Sequence, residues 1–137
     1  MLKIDLSALN EFKLKVLQDG YAWDYDMDMP AHRAVALRVV GTLEGCEVHH
    51  INHNKKDNEP NNLMVLTPMG HRMVHHMEVD RDVYTQYGTL RQPGHLIKLL
   101  DDARLWYVYV GTAAREARPR PMVSNRRTKP KEKNDNA

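Results

Sequence analysis

Seven of the eight histidines fall between positions 32 and 76: His32, His49, His50, His53, His71, His75 and His76, with His95 apart. Imidazole ligates transition metals and, with an ordinary pKa of about 6.5, exchanges protons around neutrality. The lone cysteine, Cys46, excludes an intramolecular disulfide and a thiolate zinc finger, so imidazole is the metal ligand to consider. His71 and His75 have the i, i+4 spacing of a helical metal pair, but Arg72 stands where a zincin carries its general-base Glu. That argues against a metalloprotease. On a strand, His49 and His50 point to opposite faces and must do different jobs. On a helix, His71 and His75 share a face. A helix folded back over a hairpin would bring that pair to whichever strand histidine faces it. Three imidazoles on one ion leave positions open for water and substrate. The other strand histidine is then suited to take a proton from water. Such a pairing of metal and base is hydrolytic.

These residues need elements to hold them. Residues 7–19 read as a helix, with Ser7 as N-cap, Gly20 beyond its end, and Leu9, Phe12, Val16 and Leu17 as a packing stripe. Residues 21–29 read as a solvated acidic loop; Asp24, Asp26 and Asp28 alternate as in a calcium loop, but the Gly and Glu of an EF-hand are missing. Pro30 suits the first turn of a second helix, 31–40, capped by Asp28 and ended by Gly41. A strand over 46–51, a polar loop over 53–61, a second strand over 62–67 and a helix from Pro68 to about Met77 follow. Further on, Gly94 precedes a helical stripe from Leu96 to Ala103. The β-branched and aromatic run 105–110 reads as a strand ended by Gly111, open to edge-to-edge pairing between copies. From Arg115 onward the composition is that of a flexible tail. The expected class is α+β.

The stretch from His32 to His76 resembles the HNH endonuclease family, whose fold is the ββα-metal finger. The resemblance rests on His49-His50 closing strand one, Asp57-Asn58 in the loop, Asn62-Leu63 opening strand two, and His71 with His75 on the helix. From His50 it is twelve residues to Asn62 and twenty-one to His71, which fits the family's finger. His32-Arg33 and the apolar residues up to Gly41 look like the helix that precedes the finger in many members. The resemblance implies that His50 is the general base activating water against a phosphodiester, and that Asn62 holds the loop and so orients His50. It implies His49, His71 and His75 as ligands of one divalent ion, and Asn58 as a loop-structuring residue. Members usually have Gly where this chain has His53, and many homing-type members have Asp and Asn where it has His49 and His71. An imidazole-rich set is closer to the bacterial toxin nucleases and favours Zn²⁺, Ni²⁺ or Mn²⁺ over Mg²⁺. The small size resembles free-standing phage and homing-type members, which implies a phage-encoded protein in a host cytoplasm.

The remaining histidines read more plainly. His32 is expected to be a satisfied, partly buried helix residue, His53 a turn residue, His76 a surface or phosphate-contacting group and His95 a helix-start residue. Cys46 reads as a small strand hydrophobe.

A chain of 137 residues with 42% hydrophobic content forms one modest core with appendages. The expected organisation is an N-terminal helix and acidic loop (1–29), the finger (30–80), a helix and strand extension (81–114) and a basic tail (115–137). The formal charge of +2 averages two unlike pieces: residues 1–114 hold 12 Lys+Arg and 15 Asp+Glu, residues 115–137 hold 8 and 3. The tail, with Arg115, Arg118, Arg120, Arg126 and Arg127, reads as a phosphate-tracking arm. Lys55, Lys56 and Arg72 are expected to touch DNA beside the site. No apolar run approaches the roughly 20 residues of a membrane span, and Met1 to Ser7 lacks the apolar region of a signal peptide. The protein is therefore expected to be a soluble, cytoplasmic, metal-dependent DNA endonuclease using Mg²⁺, Mn²⁺, Ni²⁺ or Zn²⁺, as monomer or homodimer. The alternative is a non-catalytic nucleic-acid-binding module whose metal site is structural and closed by four ligands.

Overall fold

A computed structural model of the chain describes residues 6–117, with side chains over 11–116. The elements run α1 (Leu6–Gln18), β1 (Trp23–Asp24), β2 (Met29–Pro30), α2 (Ala31–Val40), β3 (Glu47–His50), a 3-10 turn (Pro60–Asn62), β4 (Leu63–Leu66), α3 (Pro68–Met77), α4 (Arg81–Tyr87), α5 (Pro93–Ala103), β5 (Tyr107–Tyr109) and α6 (Val110–Ala117). The class is α+β, with a β3–β4–α3 finger at its centre.

The sheet has the order β3-β4-β5 and is antiparallel throughout. Its middle strand, Leu-Met-Val-Leu, is apolar at every position and buried on both faces. Met64 and Leu66 join Ile51, Val74, Leu96, Leu99 and Leu100 in one cluster, under α3 and α5. Leu63 and Val65 join Ala36, Leu43, Val48 and Val110 in another, under α2 and α6. The sheet thus lies between two helical layers. Register assigns the histidines to them: His49 pairs with Met64 and so faces α3, whereas His50 pairs with Leu63 and faces α2.

Several expectations need correction. Residues 21–29 form a small hairpin, β1 with β2, rather than a free loop. Asp24 builds its turn by accepting from the amides of Asp26 and Met27, and its other oxygen accepts from Arg38. Those bonds, Met27's first, hold the Asp24 carboxyl below its usual range despite some opposing desolvation. Asp28 does not cap α2. Its carboxylate accepts from the Trp23 indole, Pro30 itself is the N-cap residue, and Ala31 donates its amide to the Ala22 carbonyl. The packing stripe of α1 is partial, since Val16 is buried while Phe12 and Leu17 are exposed.

The largest differences lie after residue 80. The short helix α4 was not expected; it buries no residue fully, though Val83 and Tyr87 lean on the core. Asp80 caps it by accepting from the amides of Asp82 and Val83. Within the run 105–110 only Tyr107–Tyr109 is strand, and it pairs with β4 as the edge strand of the sheet, while Val110 begins α6. Residues 115–117 are not tail but the end of α6, and Gly111 lies within that helix. A Cβ on Gly111 would crowd the side chains of Asn61 and Tyr109, so a larger residue there requires both to move.

Because β4 is enclosed from both sides, Leu66→Ala is expected to lower unfolding free energy by about 2–5 kcal/mol. Val79→Ala, at an exposed position, should change it by less than about 0.5 kcal/mol. Urea denaturation of the two variants checks the contrast.

Candidate active site

β3 ends in His49 and His50, and the pleat sends them to different surroundings. On the α3 side, Thr67 caps α3 through the Gly70 amide, and Pro68 sits in its first turn. That start sets His71 and His75 one turn apart, over His49. Ring centroids are 5.0 Å apart for His49 and His71, and 4.9 Å for His49 and His75. The three histidines each offer a ligand atom within 4.8 Å of the others'.

The hydrogen bonds show how these rings are set. His71 Nδ1 donates to Glu47 Oε1 at 2.8 Å, and His75 Nδ1 lies 3.2 Å from Glu78 Oε1. The two Nε2 atoms are 3.0 Å apart. With both Nδ1 hydrogens directed at carboxylates, two lone pairs face each other, an arrangement that repels unless a proton or a cation lies between them. His49 is 1% exposed, and its Nε2 is buried without a partner among the described residues. Burial, reinforced by the neighbouring imidazoles, pushes the His49 pKa down to about 2, so the ring is neutral. His75 is also held below its ordinary value, by burial first and then by His71, against the opposing pull of Glu78. An orphaned neutral nitrogen beside two converging ones is the donor chemistry that a divalent transition-metal ion requires.

On the α2 side, His50 is buried, and its Nε2 donates to Asn58 Oδ1 at 2.8 Å. The amide oxygen only accepts, so Nε2 carries the hydrogen and Nδ1 keeps its lone pair. Burial lowers the His50 pKa, while Asn58 and Asp57 work in the opposite direction. The His32 ring lies 4.7 Å from that of His50, and Tyr21 stacks on His32 at 5.1 Å. His32 is not the satisfied residue expected: its Nδ1 is buried without a partner among the described residues, and burial drops its pKa to about 3.

Asn62 holds the loop. Its Oδ1 accepts from the Asn52 amide and its Nδ2 donates to the Asp57 carbonyl, both at 2.9 Å. Asn58, expected to serve backbone groups, is the residue that touches His50. The charged residues expected at DNA divide. Lys56 and Arg72 are exposed. Lys55 donates to the Asp19 carbonyl and sits over the Tyr21 ring at 4.8 Å. Arg115 reaches Asn61 and Thr112. Arg118, Arg120, Arg126 and Arg127 lie outside the described residues. Of the other histidines, His76 is exposed and His95 Nδ1 donates to the Thr89 carbonyl. His53 adopts the left-handed turn expected of it, with φ 66°.

Residues 30–73 match the family model described as HNH endonuclease. That segment, 44 of the 137 residues, is similar to the HNH endonuclease family. No curated protein and no solved structure matches the chain. The match spans His49, His50, Asn58, Asn62 and His71, and stops short of His75 and Glu78. The match supports a nuclease-type function in general, and the family it describes generally uses a divalent metal. Among the described residues no helix is long and apolar enough to cross a membrane.

Glu47 and Glu78, which touch these rings, lie outside the histidine pattern. Both carry a usable signal, since Glu47 lies two residues before His49 on the same strand and Glu78 three after His75 on the helix.

Removing the Asn62 side chain orphans a backbone donor and a backbone acceptor together. Asn62→Ala is expected to cost about 1–3 kcal/mol and to speed hydrogen exchange at the Asn52 amide; denaturant titration and exchange NMR read the two effects.

Proposed function

We propose that the chain is a metal-dependent HNH-type DNA endonuclease in which His50 is the general base and His49, His71 and His75 hold one divalent ion. The observation that carries this reading is the division of labour at the end of β3. One histidine joins a converging, carboxylate-backed imidazole set. Its neighbour has one nitrogen fixed by an amide oxygen and the other free. A bound divalent ion would supply Lewis-acid stabilisation of the negative charge that develops on the phosphate and the leaving oxygen.

The chain's own groups do the rest. His50 Nδ1 takes a proton from the attacking water as its oxygen bonds to phosphorus and the bond from phosphorus to the leaving oxygen breaks, and the imidazole must be neutral beforehand. Burial keeps it neutral by lowering the pKa, and Asn58 holds the tautomer that leaves Nδ1 free. Asn62 keeps the loop that carries Asn58 in place. Glu47 and Glu78 set the Nδ1 sides of His71 and His75, presenting their Nε2 atoms together. His50 is the last residue of β3, so a backbone phosphate crossing the strand end approaches both faces without entering the core. Lys56, Arg72, Arg115 and the four tail arginines give sequence-independent phosphate contacts. Lys55 contributes chiefly by pinning the loop to the end of α1.

Supercoiled plasmid incubated with Mg²⁺, Mn²⁺, Ni²⁺, Zn²⁺ or EDTA tests the assignment. Wild type should nick or linearise it with at least one ion and not in EDTA. His50→Ala should lose at least about 100-fold in rate while keeping its fold and metal affinity. Absence of cleavage with every ion overturns the enzyme reading; joint loss of fold and metal in His50→Ala points to the structural module instead.

The pH profile tests the base separately. The neutral form of His50 is present above its lowered pKa, so kcat/KM should fall with acid only below the ordinary histidine range. Asn58→Asp places a carboxylate against the ring and favours imidazolium, so the acid limb should move up by about one unit or more. A limb that does not move removes His50 as the titrating base.

A further inference from the structure

The function proposed above uses three members of a larger cluster. His53 stands beside them without a task, and Glu78, whose Oε1 backs His75, turns its other oxygen to it. His53 Nε2 donates to Glu78 Oε2 at 2.6 Å, and the His53 ring lies 5.7 Å from His49 and 5.3 Å from His75. His49, His53 and Glu78 form a second group whose ligand atoms all lie within 4.8 Å of one another. Its shared member is the residue with the buried, unpartnered Nε2.

Two further observations set this group apart from an ordinary ion pair. His53 occupies a left-handed backbone position that glycine adopts freely and a residue with a Cβ does not. The turn itself gains nothing from histidine there, so the imidazole needs another reason. The group also borders a cavity of about 240 Å³ lined by His53, His75, Glu78, Thr89 and Arg91, among others. That is room for several waters at roughly 30 Å³ each, so an ion at this edge could keep part of its hydration shell.

One imidazole nitrogen ligates one ion, so two sets that share His49 Nε2 compete for it. We propose that the bound divalent ion has two overlapping positions in this protein: His49–His71–His75, and a second made by His49, His53 and Glu78. The first is all imidazole and suits Zn²⁺ and Ni²⁺. The second replaces one imidazole with a carboxylate and faces the cavity, which suits Mn²⁺, an ion that accepts oxygen ligands and water. The choice of ion then decides the position, and the chain tolerates ions of different hardness. This rests on the reading that the histidine cluster binds a metal at all, and the test separates the two.

The full-length chain is titrated with Mn²⁺, following loss of the free-ion electron paramagnetic resonance signal, and with Zn²⁺ against a chromophoric chelator. Wild type, His53→Gly and His71→Ala are compared. His53→Gly suits the turn's backbone and removes the ligand together with its bond to Glu78; it should weaken Mn²⁺ by roughly tenfold or more and Zn²⁺ by less than about threefold. His71→Ala should show the reverse. His53→Asn, which also tolerates a left-handed turn, repeats the first arm should glycine loosen the loop. Wild-type Mn²⁺ affinity in both His53 variants overturns the second position while leaving the three-histidine set standing. Equal losses of both ions in every variant also overturn it, in favour of one site with more ligands. Unchanged Zn²⁺ binding in His71→Ala defeats the underlying reading of the cluster.

Discussion

Everything in this site depends on the two-residue period of a β-strand. His49 and His50 are neighbours in sequence, yet the pleat gives them opposite faces of one sheet and therefore opposite chemistries. The register of β3 on β4 fixes which is which. A slip by one residue would bring His50 to α3 and His49 to α2, exchanging their surroundings. The apolar, doubly buried β4 prevents that slip, because it too would have to exchange its two faces with the core clusters. The unbroken Leu-Met-Val-Leu run is therefore as much a part of the site as the histidines.

Electrostatics divides the histidines again. Around His49, burial and the neighbouring imidazoles both oppose imidazolium at His49 and His75. Neutral imidazole is the form that ligates. Glu78 opposes that tendency at His75, and Glu47 holds the Nδ1 hydrogen of His71. On the other face, His50 has amide rather than carboxylate support. It is oriented without being made strongly basic.

The sequence was most readable where pattern and chemistry coincide. α3 runs from Pro68 to Met77 as expected, because a cap, an N-terminal proline and an i, i+4 pair all agree there. β3 and β4 each came within a residue or two. Readability failed where structure comes from tertiary contacts. α4 buries nothing completely, so its apolar spacing is faint, and its cap, Asp80, resembles any surface aspartate. β5 looked like an exposed strand because nothing in its own residues names β4 as its partner. Asn58 and Asn62 were both singled out, but only the folded loop shows that the first holds the imidazole and the second the backbone. His32 looked ordinary on its helix, and its place beside His50 follows from which face of the sheet α2 covers. Glu47 and Glu78 matter only through what they touch.

The adjacency of His49 and His50 has a mechanical meaning. Many sites draw their parts from separate loops or domains, so their geometry relaxes when those pieces drift. Here the two histidines are one peptide apart, with α-carbons about 3.8 Å from each other. No hinge lies between them, and breathing of the surrounding helices changes what encloses the pair more than the pair's own spacing. That spacing is a matter of bond lengths and strand conformation, so it holds for as long as β3 stays in the sheet. Loss of the site and loss of the strand are then a single event.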